Sequence, residues 1–203
     1  MKLIALIAPA LIASLAVADH GVTESTGLFQ IAPLPGTTSV SAIGAPANPR
    51  LEGYDFGSID AGAGQSLVLA NWDFVNFASN SGFETNDFLD SQSVAALVVT
   101  IKSGSSTVAT GTYSLVQQAV NGNSRSWSLV SSAQGTNLTG GLANGSYTIE
   151  FKNTYNFNRF AGFTGSIQTA STGVSTASFT VVPAPGAAAL LAMAGVVSAR
   201  RRK

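Results

Sequence analysis

Glu84, Asn86, Asp87 and Asp90 stand close together in the run Ser-Gly-Phe-Glu-Thr-Asn-Asp-Phe-Leu-Asp. Three carboxylates and an amide oxygen are hard donors of the kind Ca²⁺ collects, about six to eight at a time. Their spacing is not that of an EF-hand, which needs alternating acids, a glycine and a distant Glu. The alternative is a solvated acidic loop that discourages edge pairing. No other cofactor is expected. A second cluster lies in Asn153–Phe163, where Tyr155, Phe157 and Phe160 alternate with Asn and Arg. Flat aromatic faces beside amides that bond hydroxyls make a sugar platform, with Trp72 and Trp127 as further candidates. Aromatics at strand spacing serve equally as core.

Catalysis has little to work with. The one histidine, His20, lies near the N terminus, where chains are commonly mobile, so no Ser-His-Asp triad is expected. Asp55, Asp60, Asp73 and Glu150 are enough acids for a glycosidase pair about 5–10 Å apart, but none sits in a recognisable motif. With no cysteine, thiol chemistry, disulfides and Cys-ligated zinc are excluded. The expectation is a non-enzymatic protein without catalytic residues.

Only 10% of the residues are charged, against about 25% in an average soluble domain, and 45% are hydrophobic. The formal net charge of zero hides an asymmetry. Lys2 and the cations Arg200, Arg201, Arg202 and Lys203 lie at the two ends, while residues 19–182 carry ten acids and five bases, a net charge of −5. A body of that sign offers nothing to nucleic-acid phosphates, so no nucleic-acid partner is expected. It suits cations or neutral glycans.

The ends have their own logic. Met1-Lys2, an apolar run from Leu3 to Leu15 and then Ala16-Val17-Ala18 form a signal peptide over residues 1–18, with signal peptidase cutting between Ala18 and Asp19. A retained N-terminal anchor is the alternative. At the other end, Val182-Pro183-Ala184-Pro185-Gly186 precedes an apolar run from Ala187 to Ala199 and the cluster Arg200 to Lys203. As a short hydrophobic helix, Gly186–Ala199 would be about 21 Å long, less than a hydrocarbon core of about 30 Å. The terminal cations would stay cytoplasmic and the body outside, held at the inner membrane through the tail.

This three-part tail, residues 183–203 with Val182 before it, resembles the PEP-CTERM sorting signal of Gram-negative bacteria. Ala184 stands where the name-giving motif has Glu. The resemblance implies an exosortase-type processing enzyme as partner, transient anchoring in the inner membrane, and delivery to the cell surface or extracellular space. It also implies association with exopolysaccharide. A C-terminal anchor that is never cleaved is the plainer alternative. For the body, the competing reading is a carbohydrate-binding module with a defined glycan ligand.

The elements that would position these groups are strands. Tyr147, Ile149 and Phe151 alternate with polar neighbours, as do Arg125, Trp127 and Leu129. Val68, Ala70, Trp72 and Phe74 are assigned to one face of a further strand. Val94–Lys102 and Thr107–Gln118, rich in Val and Thr, supply two more. Ser103-Gly104, Asn121-Gly122 and Asn144-Gly145 mark turns, the Asn-Gly pairs being suited to tight hairpins. Asp90–Leu97 is the one place where a helical turn fits. Pro33–Pro49 reads as a loop or edge segment outside the core. Residues 170–178 read either as a Ser/Thr-rich stalk or, from Ala177, as the last strand. The expected fold for residues 19–182 is all-β, a single β-sandwich of jelly-roll or Ig-like type.

Overall fold

A computed structural model describes residues 20–44, 49–78, 94–121, 124–161 and 164–183. The strands are β1 (His20–Ala32), β2 (Thr38–Ile43), β3 (Tyr54–Asp60), β4 (Ser66–Ala78), β5 (Ala95–Ser103), β6 (Ser106–Asn121), β7 (Ser124–Leu129), β8 (Thr136–Asn137), β9 (Gly145–Ala161), β10 (Thr164–Ser171) and β11 (Ser175–Val182). Hydrogen bonds join them into one sheet of order β2-β1-β4-β7-β6-β5-β9-β11-β3, with β10 added beside β9 and β8 beside β4. Every pairing is antiparallel except β11 with β3.

The sheet curls into a half-barrel because its concave face has to bury its own side chains. Phe29 on β1 meets Phe151 on β9 at 5.3 Å between ring centroids and Phe56 on β3 at 4.8 Å. Trp72 on β4 stacks on Phe151 at 5.3 Å and 11°. These pairs join strands well separated along the hydrogen-bonded order, so the core is one aromatic cluster inside the curl. Gly27 makes room for it: a Cβ there would come within 2.8 Å of Trp72 Cζ3 and also strike the Phe29 ring.

The all-β expectation holds, the alternation behaves as read on β7 and β9, and the Val- and Thr-rich run at 94–102 supplies β5. Ala95, Leu97, Val99 and Ile101 are buried on β5, and Arg125, Trp127 and Leu129 on β7. On β4 the assigned face is corrected. Leu67 and Leu69 point inward, then Trp72, Phe74 and Asn76. The register with β1 slips where Leu28 pairs with Asn71 and Phe29 with Leu69, leaving Ala70 without an opposite residue. One inserted residue exchanges the faces of everything on one side of it, so a strict period of two misassigns half the strand.

Other expectations are corrected by pairing. Asn144-Gly145 is no hairpin: Gly145 opens β9, whose neighbours are β5, β10 and β11, while the preceding β8 lies against β4. Within Pro33–Pro49, β2 pairs with β1 and places Val40 in the core at 0% exposure, so this segment is not excluded from it. Residues 95–97 belong to β5 rather than to a helical turn. His20 opens a strand, its backbone opposite Ala78. Of the two readings of residues 170–178, the strand holds and the stalk is corrected: β11 buries Ala177, Phe179 and Val181, and that apolar period has a sheet to pair with. Tight turn chemistry is seen at Ser103–Ser106, where Gly104 takes φ 58° between the paired strand ends.

Both ends of the strand order are guarded. Outside β2, Ser41 accepts the Leu51 N–H and donates its own to the Pro49 carbonyl, both at 2.8 Å. On β3, Phe56 and Gly57 together oppose the single residue Phe179, with Gly57 at φ 79° and its N–H donated to Asp55 Oδ1 at 2.9 Å. Bulges and covering segments of this kind block edge-to-edge association. The signal peptide (residues 1–18), the C-terminal helix and the acidic cluster lie outside the described residues. Among those described, no helix is long and apolar enough to cross a membrane.

Candidate functional site

Inside the curl the apolar alternation is interrupted by polar side chains at inward positions. On β9 the series Tyr147, Ile149, Phe151 continues into Asn153, which is 1% exposed. Its Oδ1 accepts the Trp72 indole N–H at 2.8 Å, and its Nδ2 donates to Ser25 Oγ at 3.0 Å. On β4 the series continues into Asn76, whose Oδ1 accepts the Trp127 indole N–H at 2.8 Å. Each buried indole thus has an amide oxygen supplied by a different strand, which removes the desolvation cost of an orphaned donor. Arg125 lies opposite Asn76 across β4 and β7, is 1% exposed, and donates from Nη1 to its neighbour's Ser124 carbonyl at 3.2 Å. This seam ties β1, β4, β7 and β9 together. Its chemistry is structural: the amide oxygens of Asn76 and Asn153 and the Ser25 hydroxyl accept donors from other strands and fix which strands face which, while Asn76 Nδ2 stays buried without a hydrogen-bond partner.

The acids are occupied locally. Asp60 caps a short 3-10 turn over Ala61–Ala63 by accepting the Ala63 N–H at 2.9 Å. Asp73 accepts from Ser128 Oγ and, at 3.1 Å, from Asn71 Nδ2. Glu150 pairs with Lys102 on the outer face of β9 and β5. Thus Asp55, Asp60, Asp73 and Glu150 each meet a backbone, hydroxyl, amide or ammonium partner, and no interaction between two of these carboxylates is formed. Among the described residues, no group of three or more His, Asp or Glu is arranged to hold a metal.

Glu52 has its ionisation perturbed by a neighbouring strand. The Thr176 hydroxyl and then the Thr176 backbone N–H donate to it at 2.7 and 2.8 Å, and together hold its pKa below the ordinary 4.5. Because the folded value is the lower one, the contribution to stability is present above the ordinary value and is lost as pH falls through the depressed one. Glu52→Gln is therefore expected to lower the melting temperature slightly at neutral pH. The gap to the wild-type chain should close on acidification below about pH 4, as thermal melts across that range would show.

The aromatic platform is corrected. Tyr155 is 3% exposed, packs against Phe74 at 5.6 Å, and has its phenol pKa raised by burial. Trp72 and Trp127 are buried at 0% and 2%. At inward positions of β4, β7 and β9 these rings serve the core, where their area is worth most. Phe157 and Phe160 stand on β9 with backbones opposite Gln168 and Gly165 of β10. Glu84, Asn86, Asp87 and Asp90 lie outside the described residues, as do Ala16, Ala18, Asp19, Ala184, Pro185, Gly186 and Arg200–Lys203. Val182 is paired with Asp60, and Pro183 follows it, exposed.

Two features went unread in the sequence. The inward Asn76 and Asn153 continue apolar series and could have been found by extending each alternation by one step. The other is the stretch Ser106–Tyr113 of β6, which among the described residues pairs with β5 alone. No family model and no curated protein matches the chain. Among solved structures, it is similar to AggA, the major subunit of aggregative adherence fimbriae type I from Escherichia coli. The TM-score is 0.33 at 12% identity, over 81% of this chain and 96% of that one.

Proposed function

We propose that this chain is a non-enzymatic, exported protein of the cell surface or extracellular matrix. It is sorted and processed through its PEP-CTERM-like tail and associates with exopolysaccharide. The observation that carries this reading is where the fold ends. β11 is paired on both sides through Val181, with Gly145 of β9 and Ile59 of β3, and Val182 still faces Asp60. The proline motif begins at the next residue, so an exosortase-type enzyme acting there would cut beyond the last ladder among the described residues. In this reading the two facing halves of the curled sheet are the layers of an Ig-like or jelly-roll sandwich.

Association with glycan rests on the outer face. Opposite the core, Thr110, Thr100, Glu150 and Thr176 form one row across β6, β5, β9 and β11, and Lys102, Thr148 and Ser178 form the next. Hydroxyls dominate, and the one charge pair is internally neutralised. Such a face hydrates well and suits a sugar-rich matrix without a pocket for one ligand. Tyr155, Trp72 and Trp127, three of the aromatics a defined-ligand module would use, are buried.

The test is the intact mass of the protein recovered from its own cell envelope and medium. A chain beginning at Asp19 and ending near Pro183 is expected. Added mass at that end would identify a covalent surface partner. A mass running through Lys203 would make the tail a permanent anchor and overturn processing.

A further inference from the structure

The outer face of β9, β11 and β3 carries a block of hydroxyls in register. Tyr147, Ile149, Ala177, Phe179, Val181 and Ile59 are buried in the core, so the residues alternating with them face away from it. Ser146 lies opposite Thr180, and Thr180 opposite Ser58. In the next row Thr148 lies opposite Ser178, and Thr176 follows in the row after that. Ser146, Ser178 and Ser58 are exposed, while Thr148, Thr176 and Thr180 are half-buried. Ser146 Oγ and Thr180 Oγ1 are 3.3 Å apart, close enough for one to donate to the other. A hydroxyl donates one hydrogen and accepts two, so each row offers both kinds of group to whatever lies across it.

Charge around the block is offset. Lys102, opposite Thr148, is bound to Glu150. Asp55 lies beyond Ser178, and the Glu52 carboxylate accepts the Thr176 hydroxyl and backbone N–H. Lys102 and Lys152 are thus balanced by Glu150 and Asp55 on the same face. Elsewhere acids prevail: residues 19–182 carry a net charge of −5, and Glu24 and Asp73 are exposed on β1 and β4. That field repels an anionic polymer and is indifferent to one of uncharged hexoses. Neutral sugars also match the block, because their hydroxyls donate and accept as those of Ser and Thr do. The spacing agrees as well. Neighbouring strands are about 4.8 Å apart, and an extended β-linked hexose chain repeats at little more than this, so a chain laid across the strands sets about one sugar on each. Each contact is weak in water, but a polymer gains by meeting many of them at once.

We infer, resting on the exopolysaccharide association proposed above, that the polymer is a neutral, extended hexose chain held along the hydroxyl rows of β9, β11 and β3. Protein recovered from the medium should cosediment with the exopolysaccharide of its own cells; failure there overturns both readings. In native affinity gels a soluble β-1,4-glucomannan should retard the protein equally at about 0.05 and about 0.5 M salt, and alginate should not. Thr148→Val, Ser178→Ala and Thr180→Val together delete hydroxyls and leave the buried alternates alone. They should weaken retardation by about tenfold or more, while Ser126→Ala on β7 should leave it unchanged. If the triple variant does not fold, Ser58→Ala with Ser178→Ala, both at exposed positions, decides by a loss of about threefold or more. Cosedimentation with the cells' own polymer but no retardation by glucomannan overturns the neutral-chain inference and leaves the matrix association standing. So does retardation by alginate that fades with salt, and so does a folded hydroxyl-deleted variant that binds like the wild type.

Discussion

Trp72→Ala should cost about 3–5 kcal/mol and bring the domain to the margin of folding, because whole native domains hold only about 5–15 kcal/mol. The indole is wholly buried, stacks on Phe151, and lies edge-on to Phe29 at 6.5 Å. Its removal opens a cavity where three strands meet, and it strands Asn153 Oδ1, which held the indole N–H at 2.8 Å. In urea, a loss of about 4 kcal/mol at a slope of about 2 kcal/mol/M moves the midpoint by about 2 M. Trp72→Phe separates the two contributions. It keeps most of the ring, loses the donor, and should cost about 1–3 kcal/mol for the unpaired amide and the smaller ring together. A Phe variant as stable as the wild type would remove the hydrogen bond from the account. An Ala variant within about 1 kcal/mol of it would show that the curl does not depend on this residue.

The largest effect on fate is expected from replacing Arg200, Arg201, Arg202 and Lys203 together by glutamine. In the proposed sorting role these cations would hold the C terminus on the cytoplasmic side, since placing each in the bilayer centre costs about 2.5–3.5 kcal/mol. Without them, an apolar run of about 21 Å has nothing to stop it at the membrane, and a processing enzyme has no fixed tail to engage. The processed form should fall at least about tenfold in immunoblots of envelope and medium, and unprocessed chain should appear in its place. The body should melt unchanged, because among the described residues the last paired one is Val182. Normal processing of the glutamine variant would remove the cluster from the sorting signal.

Much of the fold was legible because a strand's burial pattern is a local property. Ala95-Leu97-Val99-Ile101 and Arg125-Trp127-Leu129 alternate by themselves, whatever they pair with. The exposed β6, by contrast, carries no strong alternation, yet its pairing decides how β5 and β7 are joined. The platform reading of Tyr155 failed for a related reason. An aromatic beside asparagines looks the same whether it faces a sugar or Phe74, and only the parity inherited from Phe151 and Asn153 separates the two.

By itself, then, the sequence determined the strand content and the acidic sign of the body, since each follows from composition or from a period within a few residues. Tertiary structure alone decided the rest. The bulge at Ala70 exchanges the faces of β4 only in register with β1. Asn153 becomes a partner of Trp72 and Ser25 only when strands 81 and 128 residues apart are brought face to face. The two ends of the strand order, and the segments that guard them, are identified only once the whole ladder is assembled. Register, facing and edge status are relations between strands distant in the chain, and no single strand's residue pattern encodes them.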